Sequence, residues 1–276
     1  MMGNILKMHT ELDASAENLP VQYKLPIGEG LVPMNEHIGG HIKLSYKGEI
    51  NCIACGRKTS KSFGQGHCFP CFRSLASCDI CVMKPETCHF AAGTCREPVW
   101  GKSHCFIPHY VYLANSSGIK VGITRETQVP TRWMDQGASQ ALPIFEVENR
   151  LQSGLLEVVL KQHIADRTDW RKMLKAEAEP LDLKSLRDDL LVTCSSEIAA
   201  VIKEQGGDAI RVIDEAVVNI NYPISQYPEK IKSLNFDKQP EIDGTLLGIK
   251  GQYLILDAGV LNIRKFSGYN IELDFI

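Results

Sequence analysis

The sequence has no apolar run approaching the roughly 18 residues that a membrane-spanning helix needs, so no membrane span is expected. Its opening residues, MMGNILKMHTELDAS, lack the long apolar core of a secretion signal, and the expected setting is cytoplasmic. It has no internal repeat and no low-complexity tract, which sets aside solenoid and array architectures. Nor does one sign of charge dominate: 30 Lys and Arg stand against 33 Asp and Glu. The remaining fractions, 44% hydrophobic and 23% charged, are those of an ordinary globular protein. At 276 residues the chain can form two or more compact units, each with its own core.

What the sequence has in quantity is cysteine. Nine of its ten cysteines fall within residues 52–105. In a reducing compartment that density points to metal binding rather than disulfides. The same segment is rich in Gly, Pro, Ser and Lys and poor in aliphatic runs, so it cannot build much of a core and needs another staple.

The first set is CIACGRKTSKSFGQGHCFPC, in which Cys52-x2-Cys55 and Cys68-x2-Cys71 are separated by twelve residues. Each CxxC turns two thiolates toward one point, and two such knuckles complete a tetrahedral zinc site. Glycines after Cys55 and before His67 let the backbone wrap closely. The second set contains Cys78, Cys81, Cys88, Cys95 and Cys105, with His89, His104 and His109 nearby. Cys78 and Cys81 read as another knuckle, completed by two of the other three. A second zinc ion or an iron–sulfur cluster would suit this set, and buried thiols without an ion are the remaining reading. A zinc ion held by four thiolates keeps no open position, so the expected role is structural.

Four segments follow from composition and patterning. Residues 1–50 are β-rich, with strand-like pieces at 21–25 and 41–46. Residues 51–108 form the cysteine-rich module. Residues 109–176 read as HYVYLAN and IKVGITR strands around an SSG turn, a short helix at PTRWMDQGA with Pro130 near its start, a strand at ALPIFEVENR, and a helix at SGLLEVVLKQHIA with Ser153 as its cap. Residues 177–276 are helical, then β-rich, with about four strands broken by KGQ, DAG and SGY turns. These strands suit a small sheet or barrel, able to pair with the N-terminal strands or to serve as an oligonucleotide-binding module. Charge is uneven: residues 41–110 hold nine Lys and Arg against four Asp and Glu, and residues 177–243 hold seven against fourteen. A basic front and an acidic back are compatible with a nucleic-acid face.

Within 109–175, Tyr112 in YVYLA, Lys120-Val121-Gly122 in IKVGIT, Arg132 in PTRW and Glu157 in SGLLEVVL stand in an order that resembles the GIY-YIG nuclease superfamily. The resemblance covers about 65 residues, and Lys120 replaces the superfamily's second tyrosine. Asp169 is the nearest candidate for its late asparagine. The whole chain also resembles a group of bacterial cysteine-rich zinc proteins without an assigned activity. The implied fold is α+β: a zinc module, a β-β-α-β-α nuclease-like domain, a helical region and a terminal β-sheet or barrel. The implied activity is divalent-metal-dependent endonucleolytic hydrolysis of DNA or RNA. Arg132 would grip a phosphate through paired hydrogen bonds. Glu157 would hold Mg²⁺ or Mn²⁺. Tyr112, or a water it positions, would be the general base, while Lys120 and Arg125 steer the backbone. Two alternatives stand beside it: a non-catalytic nucleic-acid-binding or regulatory protein of the same fold, and a protein–protein scaffold using the acidic tail. Trp133 and Trp170 are expected to pack beneath the hairpin more readily than to stack on bases.

Overall fold

A computed structural model describes residues 1–12 and 20–276. The chain opens with β1 (Met2–Asn4), β2 (His9–Glu11), β3 (Gln22–Ile27) and β4 (Gly30–Pro33), then β5 (His41–Asn51) and β6 (Lys58–Thr59). The cysteine-rich segment carries three short helices, α1 (Phe69–Ser74), α2 (Ile80–Met83) and α3 (Pro98–His104). Next come β7 (His109–Asn115), β8 (Ile119–Arg125), α4 (Thr131–Asp135), β9 (Gln140–Val147) and α5 (Arg150–Leu160). Helices α6 (Trp170–Lys175), α7 (Leu183–Thr193) and α8 (Ser195–Gln205) lead to two short strands, β10 (Ile210–Val212) and β11 (Val218–Asn219). The chain ends in β12 (Glu241–Lys250), β13 (Tyr253–Leu256), β14 (Gly259–Asn262) and β15 (Tyr269–Phe275).

The strands form antiparallel sheets, giving a mixed α and β architecture. The largest runs β1–β15–β5–β12–β13–β14, with β6 added to β5. In it Leu44 of β5 pairs with Ile242 of β12 on one side and Leu273 of β15 on the other. The two ends of the chain therefore share one sheet. Along β12 the pattern that drives this is plain: Ile242, Gly244 and Leu246 are buried while Glu241 and Asp243 are exposed. A smaller sheet, β2–β3–β4, packs into the same core through Tyr23, Leu25 and Val32.

The central sheet, ordered β10–β9–β7–β8 with β11 beside β9, is covered on both faces. Val111, Leu113, Val121 and Ile144 point to α5, α7 and α8, against Leu156, Leu160, Leu190 and Ile198. Tyr112, Ala114 and Ala141 point the other way, with Trp133 and Met134, into the core shared with Ile5, Met8 and Phe266. A strand buried on both sides reads as a continuous apolar run, which is why the VYLA stretch shows no alternation. Each fully buried large side chain contributes about 1.5–3 kcal/mol, so this strand anchors the molecule. Among the described residues no helix is long and apolar enough to cross a membrane.

One local detail differs from expectation. Helix α5 is capped by Asn149, not Ser153: the Asn149 side chain accepts from the Gln152 N–H, and the Gln152 side chain accepts from the Asn149 N–H. This reciprocal capping box satisfies two donors, and Ser153 falls one turn inside, its hydroxyl donating to the Arg150 carbonyl. Gly154, also inside α5, marks a close approach. A Cβ there would fall 2.5 Å from Pro85 Cβ and 2.8 Å from the Glu86 nitrogen. The roughly 1 kcal/mol that glycine costs a helix is thus exchanged for docking of the cysteine-rich segment. Trp133 packs beneath the hairpin as expected, meeting Tyr112 edge-on, whereas Trp170 lies away from it and stacks on Tyr253 of β13.

Candidate functional site

The first cysteine set assembles at the end of β5. The sulfurs of Cys52, Cys55, Cys68 and Cys71 all lie within 4.8 Å of one another, and those of Cys55 and Cys68 are 3.8 Å apart. Tetrahedral zinc with Zn–S bonds of about 2.3 Å needs sulfurs about 3.8 Å apart. The cluster therefore can hold a metal ion such as zinc. Local chemistry prepares it. Gly56 and Gly66 adopt φ of +69° and +131°, letting the backbone curl around the sulfurs. Burial pushes the Cys52 thiol up, but N–H groups of Cys68, Ala54 and Cys55 outweigh it and bring it down to about 6. The neighbouring thiols of Cys55 and Cys68 push Cys71 the other way, a crowding that a cation relieves.

The second set departs from the expected knuckle. Cys81, Cys88, Cys95 and Cys105 line one small cavity, whereas Cys78 lines a different one beside Gly64 and Ile53. The cause is local: Cys78 ends a 3-10 turn and Cys81 sits in the first turn of α2, with no left-handed glycine between them to turn both sulfurs inward. The histidines take structural roles. His104 stacks on Trp100, and His89 reaches Thr94 with Nδ1 and Asp79 with Nε2. His109 is buried in β7, where Nδ1 donates to the Ile107 carbonyl and burial pushes its pKa down to about 4, so it is neutral.

The polar residues singled out between β7 and α5 mostly converge on a cleft of about 440 Å³. Lys120, Arg125, Arg132 and Glu157 all line it. β8 supplies Lys120 and Arg125, α4 supplies Arg132 and α5 supplies Glu157. Residues that sequence patterning did not single out complete the wall: Lys7, Asp135, Gln136, Arg150, Asp166 and Arg264. Asp166 arrives because the Val121 N–H donates to the Ala165 carbonyl, laying residues 165–167 alongside β8. Asp169, by contrast, serves as a helix cap, accepting from the N–H groups of Arg171 and Lys172.

Tyr112 lies behind this cleft rather than in it. The ring is fully buried, packed so closely over its cross-strand partner Gly122 that a Cβ there would sit 2.7 Å from the hydroxyl oxygen. Burial pushes its pKa up, Arg132 draws it down and Glu157 adds to the rise, leaving it raised. Its hydroxyl donates to Gln136 Oε1 at 3.3 Å, the same oxygen that receives Lys120 Nζ. A buried, un-ionised phenol does not suit the general-base role expected of it. Tyr112 instead orients the groups that face the cleft.

The electrostatics are lopsided. Lys7 pairs with Asp135 at 2.8 Å, Arg264 reaches the same carboxylate at 4.0 Å, and Arg167 is near Asp166. Among the described residues, no carboxylate pairs with Lys120, Arg125, Arg132 or Arg150. Arg150 is half-buried, with a covered Nε that has no partner among the described residues. Burial, then the charge of Arg132, push Lys120 down to about 8. Like charges held together in a wall of lowered dielectric repel one another, so such a group is stabilised by an incoming anion. Glu157 is also pushed up, chiefly by burial; Lys161 opposes the rise and Asp166 adds to it. Two carboxylates facing the same space match the donor set of Mg²⁺, which binds through one or two carboxylates and keeps its waters.

One signal for Arg150 was present in the sequence. It stands seven residues before Glu157, two helical turns away, on the same face of α5. Lys7 and Arg264 carry no local signal, since only the shared β-sheet brings them to this cleft.

Residues 39–271, most of the chain, match the family described as "Protein of unknown function (DUF2797)", and the chain belongs to that family. No curated protein and no solved structure matches it.

Proposed function

We propose that this DUF2797 protein binds nucleic acid in the Lys120–Arg132 cleft and cleaves its backbone as a divalent-metal-dependent endonuclease of the GIY-YIG type. The observation that carries the reading is the grouping of four cations without carboxylate partners around Glu157 and Asp166. Arg132 and Arg150 bind phosphate oxygens, the guanidinium fork matching them in pairs. Arg125, on the cleft wall, follows the strand. Glu157 and Asp166 hold Mg²⁺ or Mn²⁺; when bound, that ion activates water and neutralises charge on the phosphate. Lys120 is the cleft residue whose proton exchanges near neutral pH, since its amine lies near 8. The Cys52–Cys71 cluster, with zinc, fixes the shape of the segment that docks on α5 at Gly154.

A second reading has its own support. Tyr112 is buried and Lys120 replaces the second tyrosine, which favours a fold kept for binding without cleavage. A panel of labelled single-stranded, duplex and branched DNA and RNA separates the two, with Mg²⁺, with Mn²⁺ and without either. Metal-dependent cutting lost in both Arg132→Ala and Glu157→Gln supports the nuclease. Salt-sensitive binding without cutting supports the binding protein. Binding to none of these substrates by folded protein overturns both.

A further inference from the structure

Cys81, Cys88, Cys95 and Cys105 belong to neither the first metal cluster nor the cleft. They are separated by six, six and nine residues, with no CxxC among them. They nevertheless converge on one cavity of about 20 Å³, closed by the rings of Phe90, Trp100 and Phe106. Phe90 and Phe106 pack with centroids 4.5 Å apart. A single water needs roughly 10–15 Å³, so the sulfurs surround real space.

The sulfurs around that space are not gathered as at the first cluster. Four thiolates on one zinc ion close around it to about 3.8 Å from one another. The sulfurs of Cys52, Cys55, Cys68 and Cys71 show this closure, all lying within 4.8 Å, whereas those of Cys88, Cys95 and Cys105 do not. A four-iron, four-sulfide cluster has the opposite demand. Each thiolate binds a different iron, so the sulfurs stand further apart around a filled centre, and an apolar shell shields the cluster from water. Asp79, Cys81 and His89 do lie within 4.8 Å of one another. Asp79, however, already receives Arg96 Nε at 2.7 Å, with His89 Nε2 at 3.4 Å, an ion-paired group complete without a metal.

We propose that Cys81, Cys88, Cys95 and Cys105 hold a four-iron, four-sulfide cluster, distinct from the single-ion site at Cys52–Cys71. Its protein frame is joined to the cleft. The Arg150 N–H donates to the Cys105 carbonyl at 2.8 Å, and Arg150 Nη2 donates to the Val82 carbonyl at 2.6 Å. The cluster thus braces the wall that presents Arg150.

The test is to produce the full chain in iron-replete cells, purify it without air, and measure zinc, iron and acid-labile sulfide. The expected composition is about four irons and four sulfides with about one zinc per chain, and a broad visible absorption that dithionite bleaches. Cys88→Ser and Cys95→Ser should each lose the iron and keep the zinc. Cys55→Ser should lose the zinc and keep the iron, and Cys78→Ser should change neither. The wild-type composition decides even if a variant fails to fold. Two zinc ions with no iron overturn the proposal, as does iron without sulfide. So does a chain that takes up no cluster on anaerobic reconstitution with ferrous iron and sulfide.

Discussion

The Cys52–Cys71 cluster and the Lys120–Arg132 cleft concentrate charge of opposite kinds, and they are built in opposite ways. The cluster draws four thiols from twenty consecutive residues, held by two knuckles and left-handed glycines. The cleft draws cations from β8, α4, α5 and the terminal β-sheet, with Lys7 and Arg264 far apart in the chain. In each, like groups are held closer than their mutual repulsion favours, so each is completed by a partner of the other sign. The difference lies in what holds the group together. In the cluster a bound metal would itself supply folding energy, whereas in the cleft two packed cores hold the cations whether or not an anion is present.

The largest effect should come from disrupting the cluster. Cys55→Ser or Cys68→Ser should remove one metal ion per chain and expose residues 52–75 to protease while the central sheet stays folded. The loss approaches the order of 10 kcal/mol that structural zinc supplies to small fingers. Metal analysis with limited proteolysis checks it. Unchanged metal content in both variants would show that the cluster, like the cleft, stands without its partner ion.

The cleft should respond in binding and not in folding. Arg132→Ala with Arg150→Ala should weaken duplex binding by about a hundredfold, at roughly 1–3 kcal/mol for each charged hydrogen bond to phosphate. The slope of log affinity against log salt should fall by about 0.9 for each phosphate no longer neutralised. Equal weakening at every salt concentration would show that these arginines do not meet phosphate.

Lys120 tests the cost of holding a cation in a dry wall. Its amine is near 8 in the folded chain and near 10.4 when unfolded. Below pH 8 both states are protonated, and the burial penalty is felt in full. Between about 8 and 10.4 the unfolded chain holds more protons, so stability rises with pH. Lys120→Met should therefore stabilise the protein by on the order of 2–3 kcal/mol at pH 7, with a gain that shrinks toward pH 10. It should also weaken anion binding. Denaturant titrations across that range measure the first effect, and a pH-independent gain would place the cause elsewhere.

The smallest effect is assigned to Asp169. Its carboxylate accepts two N–H groups at the start of α6 and is absent from the cleft wall. Asp169→Ala should cost about 1 kcal/mol, the ordinary loss of a helix cap, and leave binding unchanged. A selective loss of cleavage or affinity would give Asp169 the supporting role that its place in the sequence suggests.

Whatever depends on neighbours along the chain was legible in the residues themselves. Strand lengths at 109–115 and 119–125 follow from composition and the SSG turn, and the terminal strands follow from glycine turns at Gly251 and Gly268. The first cysteine cluster follows from two CxxC spacings, because a knuckle needs only its own residues to aim its sulfurs. Three matters depended instead on how the elements pack. Tyr112 is sealed because a second core covers the face that an isolated hairpin would leave open. Cys78 turns away because a 3-10 turn and a helix, not a glycine, follow one another at its position. The cleft gathers Lys7 and Arg264 because strands from both ends of the chain share one sheet, and no local period records a pairing between residues so far apart.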